Sequence, residues 1–166
     1  ISTALRAYLF VLAAAYAVLG AILFIAPAWA SGQFAWKVSP FVTMTIGGWC
    51  LGTALAALIV ALRRSWPAML CPIVYLALFG LFETGVLYAF RGVVRLENPL
   101  AWLYVAAILG TAIFAIAAIV EGLRTPGLVR QVGARLGGVS LALAVGFILL
   151  VGFLGLYGLL AIPGMR

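Results

Sequence analysis

Histidine and aspartate are both absent from the 166-residue chain, and its only carboxylate side chains are Glu83, Glu97 and Glu121. Each gap removes a class of chemistry. Without histidine there is no His-ligated haem or chlorophyll, no His-based zinc site and no imidazole general base. With aspartate missing as well, no nucleophile–base pair is available, and no GxxxxGK or strand-linked GxGxxG cradle for phosphate is present. Side-chain amides are scarce too, limited to Gln33, Asn98 and Gln131. Cys50 and Cys71 are the only thiols. They fall near opposite ends of two neighbouring apolar runs, too far apart for a disulfide if both runs are helical, and read as small apolar packing residues. No enzyme activity, metal site or cofactor is expected.

What is plentiful is apolar surface. Hydrophobic residues make up 67% of the chain and charged residues 8%, with a mean hydropathy of +1.31. Soluble domains are nearer half apolar and a quarter charged, so the chain reads as an integral membrane protein. Its net charge of +7 does not point to nucleic acid, because the bases sit singly or in small groups at the ends of apolar runs. There they meet lipid head groups rather than forming a basic, aromatic-interleaved surface.

Five runs have membrane-spanning length: 5–26, 40–62, 66–90, 99–120 and 137–162. About 20 residues at ~1.5 Å each cross a hydrocarbon core of ~30 Å. The expected fold is therefore all-α, a single domain of five transmembrane helices. The first run competes with a signal-peptide reading because of Ala28-Trp29-Ala30, but it is longer than a typical signal core and is expected to be a retained span. Residues 126–136 place Leu128, Val129, Val132 and Leu136 at helical spacing, with Arg130 and Arg135 mostly elsewhere. That pattern predicts a short basic segment lying in the membrane interface. Residues 28–39 are expected to form a loop, with Trp29 and Trp36 at the head-group level. Arg63, Arg64, Arg130 and Arg135 are further interface anchors. Gly48 and Gly52 form a GxxxG pair, and Gly152 and Gly155 belong to a thin glycine stripe. Such spacing lets helices approach closely, within one fold or between subunits.

Phe34, Trp36, Val38, Ser39 and Pro40 lead into Ile46, Gly47, Gly48, Trp49, Leu51 and Gly52. This pattern resembles small uncharacterised bacterial multi-span membrane proteins, in which an aromatic loop ending in Ser/Thr-Pro precedes a helix with a Gly-Gly/Ala-Trp centre. The resemblance covers the stretch 34–52. It implies a membrane fold and transfers no site, because the family has no assigned chemistry.

Charge bias supplies an expected topology. One side holds Arg6, Arg63, Arg64, Arg124, Arg130 and Arg135, and the other Lys37, Arg91, Arg95 and Arg166. The richer side is expected to face the cytoplasm of a bacterial inner membrane, with the N-terminus inside and the C-terminus outside.

Glu83 is the single ionisable group within a span. An intramembrane carboxyl costs about 2.5 kcal/mol or more to insert, so it needs a partner or a purpose. It lies roughly 12 Å below the outer end of its run by helical rise, level with Tyr16, Trp49 and Thr111. The four are expected to form one polar layer, with three hydrogen-bond donors able to satisfy the carboxyl. Arg91, two turns further on, is placed to reach back towards it. Three functions are compatible with this pattern. The first is a non-catalytic accessory or scaffold subunit of a larger membrane complex, with other membrane subunits as partners. The second is a small proton- or cation-linked carrier or channel using Glu83. The third is a lipid-, quinone- or pigment-binding protein. The sparse polar lining favours the first.

Overall fold

The computed structural model describes residues 1–63 and 66–124. The expected fifth span at 137–162 and the interfacial segment at 126–136 lie outside the described residues. So do Arg64, Arg130, Arg135, Gly152 and Gly155. Among the described residues the structure is all-helical. Its elements are α1 (Thr3–Ile25), α2 (Pro27–Gln33), α3 (Pro40–Leu62), α4 (Trp66–Ala89) and α5 (Pro99–Arg124). Four stretches are long and apolar enough to cross a membrane: α1, α3, the part of α4 from Cys71 to Ala89, and α5. The chain is a multi-pass membrane protein.

Local chemistry sets the helix ends. Ser2 accepts a hydrogen bond from the Leu5 N–H, and Ser39 from the Val42 N–H, each at 3.4 Å. Pro40 then opens α3 where a missing N–H does no harm. The expected loop at 28–39 in fact begins as the short helix α2. Pro27 at its first position starts the turn, and burial of Ala30 and Phe34 fixes it against the bundle. Propensity alone would not hold seven residues helical. The last described helix runs on to Arg124, past the expected end at 120. No proline intervenes before Pro126, and the Arg124 charge suits the helix C-terminus.

The four long helices close a ring in which α3 lies on α1, α1 on α5, α5 on α4, and α4 back on α3. The α1–α3 seam is the most extensive, and glycine sets its spacing. A Cβ added to Gly47 would stand 2.7 Å from the Phe24 nitrogen, and one added to Gly20 would stand 2.9 Å from the Gly47 carbonyl oxygen. Only two bare backbones fit there. Gly48 and Gly52, the expected GxxxG contact, have nothing within 4 Å of an added Cβ. The close contact is made one residue away from the motif, on a different face of α3. Gly80 of α4 plays the corresponding part against Thr111 and Ala112 of α5, where an added Cβ would lie 2.8 Å from backbone atoms.

A cap joins the two connections at the α2 end of the bundle. The Asn98 side-chain amide donates to the carbonyls of Gly32 (3.3 Å) and Phe34 (3.4 Å). The Arg95 N–H donates to the Ala35 carbonyl at 2.8 Å. These bonds satisfy backbone groups that neither helix nor sheet provides for.

Candidate functional site

Glu83 faces inward from the C-terminal half of α4 and is half-buried. Its Oε2 accepts a hydrogen bond from the Tyr104 hydroxyl of α5 at 3.1 Å. Tyr104 is itself buried. Its ring meets Phe34 edge to face with centroids 4.9 Å apart, and the Trp36 indole lies beside its hydroxyl. The helix carrying the carboxyl is thus tied to the neighbouring helix and, through that helix, to the cap.

The expected four-residue layer divides. Tyr16 and Thr111 do meet, with 2.9 Å between their hydroxyls. Thr111 Oγ1 already donates to the Ala107 carbonyl at 2.8 Å, so its single proton is in use and Tyr16 is the donor between them. Glu83 is close enough to Tyr16 and Cys50 to interact electrostatically, but its hydrogen bond comes from Tyr104. Trp49 is 63% exposed, because its position on α3 faces away from the α1 seam. It makes no contribution to the polar layer. Arg91 does not reach Glu83: its guanidinium lies 4.8 Å over the Tyr88 ring and donates to the Tyr88 carbonyl at 3.3 Å. Trp29 is exposed and Trp36 half-buried, so the two expected interface anchors differ in role. Arg63 is exposed at the other end of α3.

Tyr16 is one of four tyrosines that fasten the bundle, and the sequence pattern did not single out the other three. Tyr75 of α4 lies 2.8 Å from Thr53 of α3, whose hydroxyl donates to the Trp49 carbonyl at 2.9 Å. This repeats the Tyr16–Thr111–Ala107 arrangement on the opposite seam. Tyr8 of α1 donates to the Gly110 carbonyl of α5 at 2.8 Å. In each of these four links between long helices the donor is a tyrosine. The available signal was the presence of Tyr16 and Tyr75 in the interiors of apolar runs instead of at their ends, where an interfacial belt would put them; Tyr8 and Tyr104 lie near the starts of theirs and carried no such signal.

Among the described residues, every buried side-chain nitrogen or oxygen has a hydrogen-bond partner, and no three His, Cys, Asp or Glu residues gather as a metal site would require. Cys50 is buried and Cys71 exposed, both as free thiols. Comparison with known proteins finds no family model, no curated protein and no solved structure that matches this chain.

Proposed function

We propose that the protein is a non-catalytic accessory or scaffold subunit of a larger integral membrane complex. In this reading it sits in a bacterial inner membrane with its N-terminus cytoplasmic, and its partners are other membrane subunits. One observation carries the reading: the polar side chains inside the bundle are bonded from helix to helix or to their own backbone. They act as fasteners and do not converge on a space for substrate. The outward faces offer what a partner helix uses, namely open glycines at Gly48 and Gly52 and exposed aromatics at Trp49 and Phe82. Purification of the full chain in a mild detergent is expected to bring down partners at fixed stoichiometry. A monodisperse protein with no companion would sink the reading.

A second reading rests on Glu83 alone. Its carboxyl is half-buried and receives one hydrogen bond, which leaves it able to exchange a proton or meet a cation. A proton- or cation-linked carrier would lose pH-dependent flux in liposomes on Glu83→Gln while keeping its fold. Equal flux in parent and variant, or none in the parent, excludes this reading.

A further inference from the structure

We infer that the crevice between α4 and α5, beside the 90–98 connection, binds one phospholipid with an anionic head group. The phosphate sits on Arg91 and an acyl chain lies along the crevice. This inference is independent of the accessory-subunit reading, since a transporter or a scaffold could carry the same site.

The crevice has a volume of about 280 Å³, and its walls are Leu87, Val94, Leu96, Val105 and Leu109. Thr84 lies at the deep end, where its hydroxyl donates to the Gly80 carbonyl at 2.6 Å, so the floor offers no free donor. Tyr88, in the last turn of α4, and Arg91, just past its end, stand at the mouth. Along α4 the lining runs from Arg91 to Thr84, and on α5 it takes in Val105 and Leu109. At helical rise the α4 stretch is roughly 10 Å, which fits within one leaflet, half of a ~30 Å hydrocarbon core. A lipid of that leaflet matches this length, whereas a second helix would continue past it.

Charge selects the head group. Three charged side chains belong to this connection: Arg91, Arg95 and Glu97. Arg95 Nε is 3.4 Å from Glu97 Oε1, so those two offset each other. Arg91 has no carboxylate within ion-pair distance among the described residues. The Tyr88 ring, 4.8 Å away, holds its guanidinium over the mouth. One N–H is engaged by the Tyr88 carbonyl, and a guanidinium has five. The remaining donors form the fork that phosphate accepts.

The test is native mass spectrometry of the full chain in detergent, titrated with phosphatidylglycerol or phosphatidylcholine of identical acyl chains. The first phosphatidylglycerol adduct is expected to bind about fivefold more tightly, the scale of one basic residue at an anionic surface. Arg91→Ala should reduce this preference to none, Arg91→Lys should keep most of it, and Arg63→Ala at the opposite end should leave it unchanged. Leu109→Trp, which fills the crevice, should weaken both lipids alike. A preference that survives Arg91→Ala overturns the site. So does displacement of the lipid by inorganic phosphate, which would mean that the anion and not the lipid is recognised. Arg91 is exposed and outside the core, so its variants report on binding and not on folding.

Discussion

The α1–α3 seam and the α1–α5 seam share a helix yet are joined by different physics. Between α1 and α3 no side-chain hydrogen bond crosses among the described residues, and contact depends on Gly20 and Gly47 letting two backbones touch. Between α1 and α5, Tyr8 and Tyr16 bridge the helices, reaching a carbonyl and a threonine hydroxyl. In lipid there is little hydrophobic gain from pressing helices together, so both solutions work through direct packing or hydrogen bonding. The difference lies in what breaks them. A glycine seam fails by the addition of one methyl group, while a tyrosine seam fails by the loss of one oxygen.

The largest expected effect is on the glycine seam. Gly47→Ala puts a methyl against the Phe24 nitrogen and the Gly20 carbonyl, both backbone atoms that cannot swing aside. Overpacking of this kind costs about 1–3 kcal/mol. Gly48→Ala, one residue along, meets open space and should stay within ~0.5 kcal/mol of the parent. Thermal unfolding of the two variants in one detergent separates these outcomes, and equal melting would remove the α1–α3 seam as described. Next comes Tyr16→Phe, which deletes the donor to Thr111. The expected loss is about 1 kcal/mol, within the range for interhelical bonds in membranes. Tyr75→Phe should cost less, about 0.5 kcal/mol, because Tyr75 is 42% exposed. The two hydroxyl pairs share no hydrogen-bond partner, and although both rings pack on Phe79 the substitutions keep those rings, so the double variant should show the sum of the two losses. The smallest effect belongs to Glu83→Gln. The amide oxygen still accepts from Tyr104, so stability should change by less than ~0.5 kcal/mol. A large loss would mean that the charge itself holds α4 to α5.

The long apolar runs were legible because their signal is additive. Some twenty apolar residues outweigh any local irregularity, and the expected ends of the second and third spans fall within a residue of the observed ones. The short helix α2 was not legible. Its stability comes from burying Ala30 and Phe34 in the bundle, Phe34 against Tyr104 far along the chain, and no local pattern encodes that. The site was legible in part. Depth counting brought Tyr16 and Thr111 together correctly, because residues at equal depth on packed helices are neighbours. It misplaced Trp49, because depth says nothing about which way a helix is rotated, and the apolar faces of α3 are too alike to reveal it. Tyr104 escaped for a related reason. It lies one to two turns from the level assigned to Glu83 on α5, and a long carboxylate side chain meeting a long phenol spans that offset. The Gly48–Gly52 motif shows the same limit, since Gly47 beside it is the residue that faces α1.

The cap also bears on the order in which the molecule can be made. The amide of Asn98 reaches carbonyls 66 and 64 residues earlier in the chain, whereas the glycine seam joins the first two long helices. A ribosome-bound chain that has exposed only α1 to α3 already holds everything the glycine seam requires. The cap and the tyrosine bridges to α5 wait for the last described helix to enter the lipid. Biosynthesis therefore proceeds from a self-sufficient helical hairpin to a ring locked at one end. Cysteines placed beside Gly20 and Gly47 should cross-link in nascent chains arrested before α4 emerges. Failure to cross-link until α5 is made would reverse that order.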